Sequence, residues 1–180
     1  LLGKLEEKVT EIVNPEEATY PRFESYTKRF QIRNIYDGID FDGGFRQEGA
    51  KFIGSGSNEE PAKLFLYRNN EIFVTAASKF FALRKDRVIG SNTAVTFRLD
   101  TDSIYHPGLL FKYFVRKKEI NLIRGGEGMS RCPFFNSFHD VDMDFEKLTW
   151  VMDDPKLDFR MMEGSTNTKA FFQSSDYFSL

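Results

Sequence analysis

The chain has 180 residues, with 25 basic and 27 acidic side chains, a net charge of −2 and 41% hydrophobic residues. This length suits a single domain with enough apolar side chains for a core. Because charges of both signs are interspersed, the sequence has no basic patch of the kind that binds nucleic acid or another polyanion. No apolar stretch approaches the roughly 20 residues that span a bilayer, and the single cysteine excludes an intrachain disulfide.

The N-terminal segment has the pattern of an amphipathic helix. Its apolar residues recur at helical spacing, and charged residues occupy most of the positions between them. The apolar residues are Leu2, Leu5, Val9, Ile12 and Val13. Pro15 marks the end, because the residue before a proline disfavours the helical conformation. We expect a helix and a connector over residues 1–20 and a single β-rich domain over residues 21–180. The apolar stripe of the helix would cover the end of that domain or a neighbouring domain.

Short apolar runs separated by polar turns follow from about Phe30 onward. The clearest runs cover residues 64–67, 72–75, 80–83, 109–114 and 120–123, and an alternating pair covers residues 148–152 and 157–161. Such runs predict strands, and their hairpin-length connections favour antiparallel pairing. The predicted fold is therefore all-β and mainly antiparallel, a β-sandwich or jelly-roll-like domain. A β-solenoid is the alternative, because glycines punctuate the stretch between residues 36 and 56.

The chain contains 20 phenylalanines. Phenylalanine buries a large area and has no hydrogen-bonding group, so most of the rings are expected in an aromatic core. The alternative is that some of them form an exposed binding face.

The longest irregular stretch covers residues 125–137 and is the predicted binding loop, since long loops without structure of their own are often functional. Its candidate binding residues, with the arginine that precedes it, are Arg124, Glu127, Arg131, Phe134 and Phe135. The same loop contains Cys132, seven residues before His139, but this spacing alone does not indicate a nucleophile and its base. The sequence predicts no catalytic residue.

Acidic residues alternate at Asp140, Asp142 and Asp144. On a strand all three carboxylates would lie on one face, where they could bind Ca²⁺. The segment is not an EF-hand, because Phe145 stands where the turn needs glycine. A solvated strand face is the alternative interpretation, and Ca²⁺ is the only cofactor that the sequence suggests.

A second acidic group, Asp37, Asp40 and Asp42, lies among glycines. Aspartate and glycine are ordinary turn residues. A pair of such carboxylates could also serve a glycosidase, if they converge in a cleft flanked by aromatic side chains.

Two stretches, GGFRQEGAKFIGSG over residues 43–56 and DSIYHPGLLFKY over residues 102–113, resemble segments of very large uncharacterised proteins of Bacteroidota-type bacteria. The resemblance implies a segment of a long cell-envelope or secreted protein and carries over no functional residue. The chain also begins at Leu1 and stops in an apolar run, which suggests a piece of a longer protein.

These features together predict a non-enzymatic structural or adhesive β-module of a larger envelope or secreted protein. It would bind a protein or glycan partner, or neighbouring domains of the same chain, and no nucleic acid. The alternative is a glycoside-active enzyme domain whose carboxylates converge only in three dimensions.

Overall fold

Sixteen β-strands account for most of the regular structure in the computed structural model, which describes residues 2–9, 17–27, 29–162 and 170–174. The strands are β1 (Gly3–Glu6), β2 (Arg22–Ser25), β3 (Phe30–Tyr36), β4 (Ile39–Glu48), β5 (Lys51–Ser55), β6 (Ala62–Arg68), β7 (Glu71–Ser78), β8 (Phe80–Leu83), β9 (Arg87–Leu99), β10 (Asp102–Phe114), β11 (Glu119–Ile123), β12 (Phe134–Asn136), β13 (Val141–Asp144), β14 (Lys147–Val151), β15 (Leu157–Arg160) and β16 (Phe171–Ser174). Two short 3-10 helices cover Val115–Lys117 and Gly128–Arg131. Every strand pair is antiparallel, so the predicted all-β, antiparallel class is confirmed.

The predicted N-terminal helix is wrong for the part of it that the structure describes. Gly3–Glu6 is a strand that pairs with β2, and Leu5 lies opposite Phe23. The apolar residues of the stripe are exposed, Leu5 by 59% and Val9 fully. A short helix is stable in water mainly when its apolar face packs, whereas the edge of β2 offers this segment backbone hydrogen bonds. Residues 10–16, with the rest of the predicted helix, lie outside the described residues.

Three long strands change partners along their length. β4 pairs with β3 and β6 through its first half and with β2 and β5 through its second. β9 pairs first with β8 and then with β7. β10 pairs with β12 near its start and with β11 near its end, while β9 lies along its other side.

The partner changes divide the sheet into two branches. The first branch runs β3-β4-β6-β7-β9-β10-β12-β13-β16, and the second runs β1-β2-β4-β5-β8-β9-β10-β11-β14-β15. Because β4 and β9 belong to both branches, β4, β5, β8, β9, β7 and β6 form a closed ring of pairings.

One hydrophobic core collects inward side chains of both branches. Trp150 on β14 is 1% exposed, and its ring centroid is 4.8 Å from that of Phe73 on β7 and 6.3 Å from that of Phe97 on β9. These contacts join strands that are not paired with each other. The aromatic core expected from the phenylalanine content is present, and seven phenylalanine or tyrosine side chains are at most 1% exposed: Phe41, Phe81, Phe97, Phe111, Phe134, Phe145 and Tyr113.

Glycines allow two of these rings to pack against the backbone. A Cβ atom at Gly54 would lie 2.6 Å from the Phe41 ring, and one at Gly90 would lie 2.7 Å from the Phe81 ring. Such distances are too short for any side chain, so the glycines that suggested bends in the sequence serve the close approach of rings.

None of the helical segments in the described ranges is long and apolar enough to cross a membrane.

Candidate ligand-binding face

The outer face of the first branch carries a continuous row of side chains across seven strands. Directly opposed residues on neighbouring strands lie on one face of a sheet. The pairings connect Asp40 to Phe65, Thr75, Thr96, Tyr105, Phe135 and Asp142 in turn. We call this set the outer row. Its six interstrand intervals of 4.7–4.9 Å give it a length of roughly 29 Å.

The alternation of burial along each strand shows that the outer row faces away from the core. On β6, Leu64 and Leu66 are at most 1% exposed while Phe65 between them is half-buried. On β10, Ile104 and His106 are buried, whereas Tyr105 is 40% exposed. The outward aromatic rings of run 64–67 therefore lie partly in solvent.

A groove of about 550 Å³ lies at the β3 end of the outer row. The outward side chains that line it include Gln31, Arg33, Asp40, Asp42, Phe65 and Tyr67. Polar groups and aromatic rings therefore share one concave surface, which is the usual composition of a site for a small polar ligand.

Asp40 is held by two donors in this groove. The Tyr67 hydroxyl donates to Asp40 Oδ2 at 3.1 Å, and the Asn34 backbone N–H donates to Oδ1 at 2.9 Å. Burial, together with the hydrogen bond to Asp40, raises the pKa of Tyr67 above its ordinary value. The phenol therefore stays protonated and keeps donating at neutral pH.

Asp42 forms a two-point ion pair with Arg29. The guanidinium Nε lies 2.7 Å from Oδ1 and Nη2 lies 3.2 Å from Oδ2. The hydrogen bond to Asp42 raises the pKa of Arg29 further above its ordinary value. A bidentate pair of this kind fixes the orientation of the carboxylate.

The two carboxylates meet part of the geometric requirement for a glycosidase. Asp40 and Asp42 are two residues apart on one strand face, roughly 7 Å along the strand, and Phe65 and Tyr67 flank them. Protein donors hold both carboxylates in place, Tyr67 and the Asn34 backbone at Asp40 and Arg29 at Asp42. The arrangement presents fixed oxygen acceptors to a ligand.

The predicted binding loop is divided between the core and the surface. Phe134 is 1% exposed and stacks on Phe145 with ring centroids 4.2 Å apart, so it is not available to a partner. Phe135 points the opposite way and belongs to the outer row. Glu127 and Arg131 are exposed. The expectation of a loop without regular structure is wrong in part, because its end forms β12, which pairs with β10.

Arg124 has an internal role. Its guanidinium donates to Asp144, to the Phe145 carbonyl at 3.0 Å and to the Arg131 carbonyl at 2.5 Å. The side chain is only 12% exposed. It therefore ties the loop to the end of β13 instead of presenting a charge to a partner.

The predicted calcium residues are not equivalent in the structure. Asp142 and Asp144 lie on β13 on either side of the buried Met143, as the alternation predicts. Asp140 precedes the strand with a positive φ of 48°, and Asp144 is paired with Arg124. The described residues contain no group of three or more His, Cys, Asp or Glu side chains placed to hold a metal ion. Binding of Ca²⁺ by all three carboxylates would require the ion pair between Asp144 and Arg124 to break.

The loop also encloses His106, which is fully buried. Gly108 N–H donates to Nδ1 at 3.0 Å, so Nε2 carries the proton and donates to the Cys132 carbonyl at 2.8 Å. Burial, with a smaller contribution from the nearby Arg124, lowers the pKa of His106 to about 4 against the opposing effect of the hydrogen bond to Cys132. This histidine is a neutral structural group at physiological pH.

Comparison of this chain with models of protein families, with curated proteins and with solved structures finds no match.

Sequence reasoning missed Phe65, Tyr67 and Tyr105 as site residues. Phe65 and Tyr67 lie in run 64–67, which predicted a strand, but the pattern does not show which positions turn outward. Tyr105 precedes the predicted run 109–114 and belongs to the longer strand β10. The available signal was the aromatic character of alternate positions in residues 64–67.

Replacing Arg124 with alanine is expected to lower the free energy of unfolding by about 2 kcal/mol, because a charged donor to three acceptors is lost. Chemical denaturation measures this change. Arg124→Lys should recover only part of it, since an ammonium lacks the planar fork of donors. Arg116→Ala, at an exposed position in the Val115–Lys117 3-10 helix, is the control. Equal stability of Arg124→Ala and Arg116→Ala would contradict the internal role of Arg124.

Proposed function

We propose that the chain is a non-enzymatic recognition module of a larger envelope or secreted protein, and that the outer row with its groove binds a glycan. The observation that carries the proposal is the groove itself, where a fixed carboxylate and a fixed phenol lie beside the partly exposed ring of Phe65. Sugars have both hydroxyl groups and apolar C–H faces. Carboxylates and phenols hydrogen-bond the former, and aromatic rings pack against the latter.

A glycan suits this face better than a protein partner does. A stable protein interface usually has a desolvated apolar centre from which charged residues are depleted. Here three charged side chains line the groove, Asp40 and Asp42 on β4 and Arg33 on β3. The resemblance to long envelope proteins is consistent with a role at the cell envelope or outside the cell, where glycans are abundant.

The two branches act in this proposal as the two layers of a β-sandwich. The aromatic contacts of Trp150 with Phe73 and Phe97 across the core support this arrangement. The antiparallel pairing of every strand supports it over a solenoid, whose successive coils normally pair in parallel. The rigid sheet would keep the outer row in place before the ligand binds, which lowers the entropic cost of binding.

Replacing Tyr67 with alanine is expected to weaken glycan binding at least tenfold, since the ring and the donor to Asp40 are both lost. A panel of plant, fungal and bacterial polysaccharides should first identify a binding glycan, and calorimetry with that glycan should then compare the variants. Asp40→Asn tests the acceptor at the same site. Phe80→Ala, which removes a 59% exposed ring from a strand of the second branch, is the matched control.

The outcomes separate the candidate functions. Recognition at the groove would be supported if the wild type binds a glycan, Tyr67→Ala and Asp40→Asn weaken that binding, and Phe80→Ala leaves it unchanged. Release of reducing sugar ends from the bound polysaccharide, lost in Asp40→Asn, would favour the glycoside-active alternative. Failure to bind any polysaccharide together with capture of a single protein would overturn the glycan proposal.

A further inference from the structure

The outer row has aromatic rings at two separate places. Phe65 lies on β6 at the groove, whereas Tyr105 lies on β10 and is directly opposite Phe135 on β12. Three interstrand intervals separate Phe65 from Tyr105, a distance of roughly 14 Å. A single sugar ring bound at Phe65 would not reach Tyr105.

Between these two places the outer face is made of small side chains. Thr75 lies opposite Thr96, and Ala77 lies opposite Ala94, on the neighbouring strands β7 and β9. All four are partly exposed. The larger rings of Phe65 on one side and Tyr105 on the other therefore border a low floor two strands wide.

The row continues beyond Tyr105 to a second polar end. Phe135 is followed by Asp142 on β13, which lies directly opposite it. The pairing continues from Asp142 to Gln173 on β16. Polar side chains therefore lie at both ends of the row, Asp40 at the groove and Asp142 with Gln173 at the far end, and the aromatic rings lie between them.

We propose that the ligand is an extended sugar chain of several residues that lies across the strands from the groove to the Tyr105 and Phe135 rings. A β-1,4-linked hexose chain fits, because it is straight and presents apolar ring faces along its length. The inference rests on the proposed glycan function and adds the length and direction of the ligand. The ring at Tyr105 then contributes to the binding of long chains only.

The experiment compares short and long members of one series. Binding of the disaccharide and the hexasaccharide of β-1,4-linked glucose, mannose and N-acetylglucosamine should be measured by calorimetry with the wild-type chain. We expect the hexasaccharide of at least one series to bind at least tenfold more tightly than its disaccharide.

Two variants locate the source of that preference. Tyr105→Ala should reduce the affinity for the hexasaccharide to near that for the disaccharide and leave the disaccharide affinity unchanged. Tyr67→Ala should weaken both. Phe138→Ala removes a 64% exposed ring close to the end of β12 but off the row, so it should change neither. Melting curves of the three variants check that the fold is intact, which is expected because Tyr105 is 40% exposed.

The inference and the proposed function fail in different ways. Equal affinity for the disaccharide and the hexasaccharide would overturn the extended-chain inference alone. So would binding of another polysaccharide at the groove without binding of any oligosaccharide of the three series. An unchanged length preference in Tyr105→Ala would do the same. Absence of binding to every glycan would overturn both.

Discussion

Replacing Trp150 with alanine is expected to lower the free energy of unfolding by about 3–5 kcal/mol, the range for truncation of a buried tryptophan. The side chain lies on β14 and is 1% exposed. It packs against Phe73 of β7 and Phe97 of β9, and its indole N–H donates to the Asp154 carbonyl at 2.8 Å. Truncation would leave a cavity between the branches and an unpaired carbonyl.

Urea denaturation of the wild type and two variants measures this effect. Trp150→Phe keeps a ring in the core but loses the bond to Asp154, so an intermediate loss is expected. Val151→Ala, at the neighbouring position with 40% exposure, should change stability by less than about 1 kcal/mol. A loss in Trp150→Ala no larger than that in Val151→Ala would show that the two branches do not meet at this ring.

Acidification from pH 6.5 to about pH 4 is expected to remove about 3 kcal/mol of stability through His106. Burial lowers the pKa of this histidine to about 4 in the folded chain, whereas its ordinary value is 6.5. Between these two pH values the unfolded chain binds a proton that the folded chain does not, so stability falls as pH falls. Each pKa unit corresponds to 1.36 kcal/mol. Above pH 6.5 and below pH 4 this histidine contributes no further pH dependence.

The geometry explains why the folded chain resists protonation. Nδ1 accepts a hydrogen bond from Gly108 N–H at 3.0 Å. A proton on Nδ1 would remove that acceptor and place a charge in a fully buried site near Arg124. The folded chain would have to open the 125–137 loop to hydrate the charge.

The pH effect is measured by urea denaturation at several pH values between 7 and 4. His106→Gln should lose the additional pH dependence relative to the wild type. His139→Gln, which replaces the exposed second histidine of the chain, should keep this pH dependence because it retains His106. Both variants retain every carboxylate, so the difference between them reports the histidine alone. Titration of the wild-type histidines by NMR provides a direct value if His106→Gln folds poorly. A His106 pKa near 6.5 would contradict the expectation.

The core side chains and the side chains of the proposed recognition face lie on opposite faces of the same sheet. Trp150 and His106 belong to the inner side, where substitutions should affect stability. Tyr67 and Tyr105 belong to the outer side, where substitutions should affect binding with little change in stability. This separation is what makes the binding variants interpretable, and it follows from the period-2 alternation of side chains in strands.

Several elements could be predicted because their signals are local. Run 80–83 became β8 with the same bounds. The polar residues between runs 64–67 and 72–75 form a turn in which Asn69 and Asn70 have positive φ, a conformation that asparagine tolerates. The spacing of such runs also predicted the antiparallel class. These features depend on neighbours in the chain, which the sequence displays directly.

The N-terminal segment shows where local signals fail. Its apolar spacing is helical, but Gly3–Glu6 pairs with β2, and β2 in turn pairs with the second half of β4. The partner strand lies about 20 residues away. Tertiary pairing overrides helix propensity, which is a weak preference for a segment this short.

The candidate site was predicted only in fragments for the same reason. Phe135 and Asp142 were singled out from the sequence, but they were assigned to a loop and to a metal site. The register of β10, β12 and β13 brings them beside Tyr105 on one row. A shift of one residue in any of these strands would turn the side chains to the opposite face.

The amino-acid sequence by itself determined the all-β class, most strands and turns, and an aromatic core, because alternation and turn chemistry act over a few residues. Only the tertiary structure decided which rings face solvent, which carboxylates are paired and which distant side chains form the outer row. These depend on the register between strands far apart in the chain, and register is set by the packing of the whole core.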